Sequence, residues 1–402
     1  MPWPVLLTHP LAILGALALC VVAAELLARH TWLRHGGTAL TVIVLTAVLA
    51  NLRIIPSSTG DVPLYSALFF EISWMAIFLL LLEVRLLEVV KAGRQILILF
   101  ALAVLSTTLG AWVGVRLAGG AEVFGEHLPV LAGMFTATYT GGSANFVAIA
   151  SQYRMTDGVL LAGANAVDAG MTTVWMAVTV VVPRLLLRWR PELAAGRMLS
   201  GERGGSPVDR DLKAELVEEI EQDSETLHPL DLGILLALAA FSVRLSIVGA
   251  EWFESVTGFA LPGILILTSL ALLLAQLPRV QRLRGGRTLG LFGVYLFLAV
   301  IGALCDLEAL RESGAVGLGL LVMVCVLLLV HGAVVFGSAV ALRLDPDTAA
   351  VASQASIGGG TSALALARSL GRSDLVLPAI LIGALGNGVG TYLGVMVVTL
   401  LS

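Results

Sequence analysis

The chain has 402 residues, of which 58% are hydrophobic and 13% are charged, and its formal net charge is −4. No soluble domain of this size hides so much apolar surface, so the composition indicates a polytopic protein embedded in a lipid bilayer. The small negative charge argues against nucleic-acid binding.

The apolar runs, taken in chain order, predict an all-α membrane protein with twelve segments of roughly spanning length. The first run follows Met1-Pro2-Trp3-Pro4 without a basic stretch, so it is expected to stay as a helix rather than be cleaved as a signal. The predicted segments cover residues 11–28, 38–55, 66–82, 96–118, 129–150, 157–187, 230–249, 261–277, 288–305, 316–342, 347–369 and 375–400.

One long polar interval divides the chain. Residues 188–229 separate six segments from six, which predicts a first membrane repeat over 1–187 and a second over 230–402. Within the interval, the stretch from Asp209 to Glu225 carries eight acidic and two basic residues and is typical of a solvated amphipathic helix. The interval is therefore expected to be a cytoplasmic linker without catalytic residues.

The two halves share short peptides at matching positions, which indicates an internal duplication. The interval from Gly141 to Gly358 equals the interval from Asp157 to Asp374, and each Asp precedes an apolar run as a helix N-cap would. The other matches are His9-Pro10-Leu11 with His228-Pro229-Leu230, Leu49-Ala50-Asn51-Leu52 with Leu274-Ala275-Gln276-Leu277, and Gly93 with Gly314.

The basic residues change sides between the halves, as the positive-inside rule requires of an inverted repeat. Arg29 and Arg34 precede the second segment, where the other half has Glu251 and Glu254. Six full crossings per half would make the repeats parallel, so either each Gly-Gly segment enters and returns as a broken or re-entrant element, or another crossing is hidden. The first solution is favoured.

The favoured solution also assigns a side to the basic loops. It puts six arginines on the cytoplasmic side of a membrane, expected to be the inner membrane of a bacterium. These are Arg184, Arg188, Arg190, Arg343, Arg368 and Arg372.

Two Gly-Gly peptides with hydroxyls interrupt apolar segments and predict a binding site. Such peptides form helix poorly, and at membrane depth they are tolerated only against protein or a cavity. Freed helix N-termini suit a carboxylate or another anion, and small residues at tight helix contacts are the alternative explanation. The predicted binding residues are Thr140, Gly141, Gly142, Ser143 and Asn145 in the first half and Gly358, Gly359, Gly360, Thr361 and Ser362 in the second.

A carboxyl at membrane depth predicts ion coupling. Asp168 and Asn165 lie in the segment after the first Gly-Gly peptide, and Asn387 lies near the equivalent place in the second half. Asp168 could exchange a proton, or a Na⁺ ion could bind near Asn145, Asp168 and Asn387. A packing hydrogen bond of a protonated Asp168 is the alternative.

Two further polar residues fall inside predicted segments. Glu71 lies near the start of the third segment and could join the coupling residues, although an interfacial or paired structural role is favoured. His331 is alone in the tenth segment and is expected to be a hydrogen-bonded packing residue.

No enzyme or cofactor is expected. His-Glu-x-x-His, P-loop and Rossmann patterns are missing from the sequence, and Gly358-Gly359-Gly360 is followed by no Lys-Ser/Thr pair. The absence of a nucleotide-binding motif favours transport driven by an ion gradient over a primary pump.

The glycine peptides resemble a known family. The residues concerned are Gly133-Met134-Phe135-Thr136, Thr140 to Ala148, Ser356-Ile357-Gly358-Gly359 and Gly383-Ala384-Leu385-Gly386-Asn387. They are similar to the YjcL-like family of uncharacterised membrane proteins, usually placed in the cation-proton antiporter and anion transporter superfamily. The resemblance implies an inverted-repeat fold with a core bundle holding two broken helices and a flatter scaffold bundle. It also implies that the chain could form a homodimer, by analogy with relatives.

These observations favour a secondary transporter. It would move a small organic anion or an amino-acid-like solute, coupled to Na⁺ or H⁺ by alternating access. No adjacent Asp-Asp or Asn-Asp pair is present, so a pure cation-proton antiporter is less favoured. A non-transporting component of a membrane assembly is a second alternative.

Overall fold

The computed structural model describes residues 5–30, 37–57, 62–195, 228–305 and 314–402. Every regular element in these ranges is a helix, which confirms the all-α prediction. The main helices are α1 (Pro10–His30), α2 (Gly37–Asn51), α3 (Pro63–Leu81), α4 (Arg94–Leu117), α5 (Leu128–Gly141), α6 (Ser143–Gln152), α7 (Gly158–Trp189), α8 (Pro229–Thr257), α9 (Gly263–Leu274), α10 (Gly286–Leu304), α11 (Gly314–Ala341), α12 (Pro346–Ser369) and α13 (Val376–Leu401). Short helices at Leu86–Ala92, Ala121–Phe124, Gly125–His127, Pro191–Ala195, Pro278–Gln281 and Ser373–Leu375 connect them.

Eight of the described helices are long and apolar enough to cross a membrane: α1, α3, α4, α7, α8, α10, α11 and the stretch Ser373–Leu401 that contains α13. Two shorter apolar helices, Thr38–Asn51 and Gly263–Leu274, accompany them. In hydrocarbon a helix satisfies its own backbone hydrogen bonds, which is why these Leu-, Val- and Ala-rich runs fold in this way.

Side chains and prolines set several helix starts. The Asp157 carboxylate accepts a hydrogen bond from Leu160 N at 2.9 Å, so Asp157 is the N-cap of α7 as predicted. Asp374, its partner in the sequence repeat, does not cap α13, which begins after Leu375 without a side-chain cap. Its carboxylate instead accepts two hydrogen bonds from Arg372, because the short helix Ser373–Leu375 turns it toward the guanidinium.

Helix packing separates the described helices into two groups. The first group contains α1, α2, α3, α8, α9 and α10, and the second contains α4, α5, α6, α7, α11, α12 and α13. The groups meet where α3 packs against α6, α10 against α7 and α9 against α13.

Most of the predicted linker lies outside the described residues. Of the interval 188–229, the structure describes 188–195 and 228–229, and the predicted amphipathic helix from Asp209 to Glu225 falls entirely outside.

Candidate functional site

The first Gly-Gly peptide bends the chain at Gly142. Helix α5 ends at Gly141 and α6 begins at Ser143, with Gly142 between them at φ 94° and ψ 178°. The rings of Phe135 and Phe146 then contact edge to face, with centroids 6.4 Å apart. Along one continuous helix, eleven residues would separate them by about 16 Å. The two helices therefore pack against each other, and we call residues 128–152 the Gly142 segment.

The second Gly-Gly peptide has the same bend at Gly359, which has φ 76° and ψ −179° inside α12. Gln354 Nε2 donates to Ser362 Oγ at 3.2 Å across the bend. Arg372 donates to the carboxylates of Asp345 at 2.6 Å and Asp347 at 3.1 Å, so the two ends of α12 lie together. We call Pro346–Ser369 the Gly359 segment.

The two bends meet beside α13, where the backbones approach closely. A Cβ placed on Gly142 would lie 3.9 Å from the Gly359 Cα and 3.8 Å from Asn387 Oδ1. A Cβ on Gly141 would lie only 2.1 Å from the Gly386 carbonyl oxygen. Both bends also require a positive φ, which glycine adopts without steric cost.

A cavity of about 490 Å³ opens at the meeting point. Its inner end is formed by the two bends, by Asn165 and Asp168 of α7 and by Asn387 of α13. Its mouth is formed by Thr38 and Ala39 of α2, Glu83 after α3, and Arg287 and Leu291 of α10. The cavity therefore lies between the two helix groups, with polar groups at its inner end and an ion pair at its mouth, where Arg287 and Glu83 approach to 3.9 Å.

Two buried oxygen atoms at the inner end lack a partner within the described residues. Asn165 and Asp168 are 3% and 6% exposed, and the Oδ1 atom of each makes no hydrogen bond. The hydroxyls of Tyr139 and Thr138 lie beside the Asp168 carboxyl. Both residues lie in the cavity wall, and amide and carboxylate groups are those that accept hydrogen bonds or coordinate a cation.

The comparisons with known proteins agree with this architecture. A family model described as "Protein of unknown function (DUF819)" matches residues 12–402. The chain belongs to the DUF819 family. The "Uncharacterized membrane protein YjcL" of Bacillus subtilis (strain 168) is 28% identical over 377 residues, which cover 91% of this chain and 90% of that protein. Together with the eight long apolar helices among the described residues, this relationship makes the DUF819 chain an integral membrane protein.

Most of the predicted site residues of this DUF819 chain line the cavity. They are Gly141, Gly142, Ser143, Gly358, Gly359, Gly360, Thr361, Asn165, Asp168 and Asn387. Residues from two distant Gly-Gly peptides and two further helices are thus brought together by the fold.

Four predicted residues lie elsewhere. Thr140 is fully buried and donates to the Thr136 carbonyl at 2.7 Å, while Asn145 accepts a hydrogen bond from Thr391 at 2.7 Å. Ser362 bonds across the Gly359 bend, and Glu71 is exposed on a π-helical turn, Ala67–Ile72, in α3. Thr140, Asn145 and Ser362 therefore shape the bends of the DUF819 site without lining the cavity, and Glu71 is not part of the cavity wall.

Sequence reasoning missed the mouth of the cavity. Glu83 and Arg287 come together at the mouth only because α3 and α10 pack against each other. The sequence signal for Arg287 was membership of a basic loop, which predicts sidedness and not a cavity. Thr138 and Thr172 also line the DUF819 cavity, and both had the appearance of ordinary helix residues.

A buried polar network supports the Gly359 segment from behind. His331 Nε2 lies 2.8 Å from Ser353 Oγ, which accepts the Trp175 indole N–H at 2.9 Å. The other ring nitrogen of His331 lies 3.0 Å from Thr107 Oγ1. Because Trp175, Thr107 and His331 belong to α7, α4 and α11, the network fixes residues 346–358 of the segment against three neighbouring helices.

Proposed function

We propose that this DUF819 protein is a secondary active transporter that moves a small organic anion or an amino-acid-like solute, coupled to Na⁺ or H⁺, by alternating access. One observation carries the proposal. The residues that close one end of the interface between the helix groups have repeat equivalents that line the open cavity at the other end.

Two ends of the molecule are defined by neighbouring helix termini. Asn51 bonds to the Cys305 carbonyl, and Gly158 approaches Leu304, so the ends of α2 and α10 and the start of α7 lie together. Arg154 lies in the loop just before α7, and we call this end the Arg154 face. The opposite end, where Arg287 approaches Glu83 and Gln276 bonds to the Val84 carbonyl, is the Arg287 face.

The interface is closed at the Arg154 face by contacts of the Gly142 segment and the residues that follow it. The Trp74 indole N–H donates to Ser151 Oγ at 3.1 Å, and Ile264 N donates to Gln152 Oε1 at 3.0 Å. The Arg154 guanidinium lies 4.7 Å from the centre of the Phe70 ring. A Cβ on Gly158 would lie 2.2 Å from the Leu304 carbonyl oxygen.

The equivalent positions at the Arg287 face are separated by the cavity. The match of Gly93 with Gly314 aligns the third segments of the two halves, and the match of Asn51 with Gln276 aligns the second. In this alignment Leu291 corresponds to Phe70, Tyr295 to Trp74, Ala39 to Ile264 and Glu83 to Leu304. All four equivalents line the cavity.

These correspondences support an inverted repeat with two re-entrant hairpins. The Gly142 segment starts and ends toward the Arg154 face, since Gly133 contacts Val398 at the end of α13 and Gln152 contacts the start of α9. Helix α11 runs antiparallel to α4, with Gly110 against Leu327 and Gly114 against Met323. This brings the two ends of the Gly359 segment, which Arg372 holds together, to the Arg287 face, opposite the ends of the Gly142 segment.

The same arrangement supports a membrane orientation. Basic residues concentrate at the Arg287 face, which we take as cytoplasmic by the positive-inside rule. Among them are Arg85, Lys91, Arg94, Arg279, Arg282, Arg284, Arg343, Arg368 and Arg372. The cavity would then be open to the cytoplasm, in a protein of the bacterial inner membrane.

Asp168 favours ion coupling and also supports a second candidate function. Its buried, unpartnered carboxyl oxygen could take a proton or, with Asn165, a Na⁺ ion during solute transport. The same group would serve cation-proton exchange without a solute. A solute-independent proton flux in proteoliposomes, lost in Asp168→Asn, would favour this exchange.

Cross-linking tests the alternating-access proposal directly. The alignment of the second segments and that of the two Gly-Gly bends make Ala39 and Ser369 the equivalents of Ile264 and Gln152. A cysteine pair at 39 and 369 should therefore form a disulfide only when the Arg287 face closes. A pair at 152 and 264, in the same cysteine-free background, should form only when that face is open. Ion or solute conditions that raise the yield of one of these two disulfides should lower the yield of the other.

A non-transporting assembly component makes the opposite prediction. If the pair at 39 and 369 never forms in membranes under any ion or solute gradient, while the pair at 152 and 264 forms completely, the two-state proposal is wrong.

A further inference from the structure

Within the proposed transporter, we infer that the ligand of the cavity is a zwitterion that carries an ammonium group and a carboxylate, such as an amino acid or a short peptide. The inference rests on the proposed function, and it names the substrate class from the two chemically opposite poles at the inner end of the cavity.

The first pole consists of hydrogen-bond acceptors. Asn165 and Asp168 line the cavity, and the Oδ1 atom of each is buried and makes no hydrogen bond among the described residues. Arg287 is the one basic residue in the described cavity wall, and it lies at the mouth beside Glu83. The Asp168 carboxyl has the hydroxyls of Tyr139 and Thr138 beside it, but no basic side chain lies at the inner end of the described cavity wall. A buried carboxylate without a positively charged partner is costly, so a bound ligand is expected to supply an ammonium group here.

The second pole consists of hydrogen-bond donors. Helix α6 begins at the cavity without a side-chain cap, and Gly142, Ser143 and Ala144 line the wall there. The helical stretch after the Gly359 bend, residues 360–369, is the second arm of the Gly359 segment. It also begins at the cavity, with Gly360 and Thr361 in the wall. The first turn of a helix leaves N–H groups free and carries partial positive charge, which suits a carboxylate.

The Gly359 segment does not satisfy its own second-arm amides with the nearest hydroxyl. Ser362 Oγ donates its hydrogen to the Gly359 carbonyl at 2.9 Å and accepts from Gln354 Nε2 at 3.2 Å, so neither bond involves a backbone N–H group of this helix start. The Ser362 hydroxyl therefore does not cap the N–H groups at this helix start.

A ligand with one charge satisfies only one pole. A simple carboxylate would leave the Asp168 carboxyl without a cationic partner, and a simple amine would leave both helix starts without an anion. A zwitterion satisfies both and adds no net charge to a site at membrane depth. The wall between the poles and the mouth is largely apolar, with Leu291, Val294 and Leu298 on α10, and can hold a short aliphatic side chain.

The competing occupant of the first pole is Na⁺, bound beside an organic anion. An alkali cation would also be coordinated by the oxygens of Asn165 and Asp168. The two ligand sets differ in one testable respect: Na⁺ with an anion needs no amino group on the solute.

The experiment is a thermal-shift assay of the full-length protein purified in detergent. Each pool of amino acids and dipeptides is compared with the matched pool of deaminated carboxylic acids and with the matched pool of decarboxylated amines, in Na⁺ and in choline. We expect a zwitterion pool to raise the melting temperature while both matched pools leave it unchanged. Asp168→Asn and Asn165→Ala should each raise the apparent dissociation constant of the stabilising zwitterion, obtained by titrating it in the same assay, at least tenfold.

Controls separate misfolding from lost binding. Gly170→Ala lies on the same helix, where an added Cβ meets no atom within 4 Å, and should bind as the unmodified protein does. Asp168→Glu keeps the carboxylate and tests whether the charge or the exact position is needed. The ligand-free melting temperature of each variant reports its folding.

Two outcomes overturn the zwitterion and leave the transporter proposal standing. One is a carboxylic acid pool that stabilises the protein in Na⁺ as strongly as the zwitterions do. The other is the absence of any shift with every zwitterion pool while the paired cross-links still exchange. Failure of the cross-links to exchange would instead overturn the transporter proposal itself.

Discussion

Asn51 and Gln276 make the same pair of hydrogen bonds in the two halves of the molecule. Asn51 Nδ2 donates to the Ala47 carbonyl at 2.8 Å and to the Cys305 carbonyl at 2.9 Å. Gln276 Nε2 donates to the Leu272 carbonyl at 2.8 Å and to the Val84 carbonyl at 2.9 Å. Both acceptor pairs obey the repeat, since Ala47 aligns with Leu272 in the second segments and Val84 with Cys305 after the third.

These amides satisfy carbonyls at the ends of helices, so removing them should destabilise the protein. We expect Asn51→Ala and Gln276→Ala each to cost about 1 to 2 kcal/mol, because a helix-end carbonyl loses its donor. The fall in melting temperature of each variant in detergent would measure this loss of stability. Ser255→Ala, which loses an exposed hydroxyl bonded within α8, is the control and should change little. Equal stability of all three variants would contradict the capping role.

The internal repeat could be predicted from the sequence, but the cavity could not. Leu49-Ala50-Asn51-Leu52 and its counterpart were recognisable because the amide occurs at the same place after the same apolar residues. The matched spacing of Gly141 with Gly358 likewise placed the two glycine bends. Nothing local to Glu83 or Arg287 indicated that they would form the mouth, because that depends on how α3 and α10 pack.

Residue type alone also could not separate lining residues from supporting ones. Ser143 and Asn145 lie in the same short peptide, yet Ser143 lines the cavity and Asn145 is held by Thr391 from α13. Asp157 and Asp374 occupy equivalent positions, yet only Asp157 caps a helix, because Arg372 is present to bind Asp374.

The glycines at the first bend should respond differently to alanine. Gly142→Ala has room for a Cβ but must adopt φ 94° and ψ 178°, a region essentially restricted to glycine, which should cost about 1 to 3 kcal/mol. Gly141→Ala should cost more, because its Cβ would overlap the Gly386 carbonyl and force α13 away. Gly170→Ala should be neutral or slightly stabilising, as expected for an open helical position. Melting temperatures that rank Gly142→Ala below Gly141→Ala would contradict this packing.

Arg372 should hold the ends of the Gly359 segment together. Its guanidinium binds Asp345, which is fully buried, together with Asp347 and the partly exposed Asp374. Arg372→Gln would leave buried carboxylates with less positive charge and should cost about 2 to 3 kcal/mol. Asp374→Asn should cost less than about 1 kcal/mol, since that carboxylate is partly in solvent. Thermal unfolding of both variants in detergent would measure the difference, and equal losses would contradict the role of the buried pair.

The ion pairs of Arg372 with Asp345, Asp347 and Asp374 should also keep their stabilising effect at high pH. Burial by itself lowers the pKa of Arg372, but its hydrogen bonds and charge interactions with Asp374 and Asp345 outweigh burial and raise the pKa above its usual range. A raised pKa in the folded state gives stability that is fully present below the unfolded pKa and is lost only as pH rises through the folded one. The difference in melting temperature between the unmodified protein and Arg372→Gln should therefore stay constant from about pH 7 to about pH 10. A difference that shrinks over this range would contradict the assignment.

The contacts that close the Arg154 face should bias the protein toward the state with the cavity open at the Arg287 face. Trp74→Phe removes the donor to Ser151, and Gln152→Ala removes the acceptor that serves Ile264 N at the start of α9. Each loss is worth about 1 kcal/mol, or about fivefold in the ratio of the two states, because the freed groups reach water once this face opens.

A cysteine at Ser143 reports that change of state, since Ser143 lines the cavity. In oriented vesicles, labelling by a membrane-impermeant thiol reagent from the Arg154 side should rise in Trp74→Phe and rise further in the double variant with Gln152→Ala. Ser255→Ala in the same background should leave labelling unchanged. If the double variant is labelled no faster than the parent from that side while remaining folded, these contacts pack the helices without controlling access.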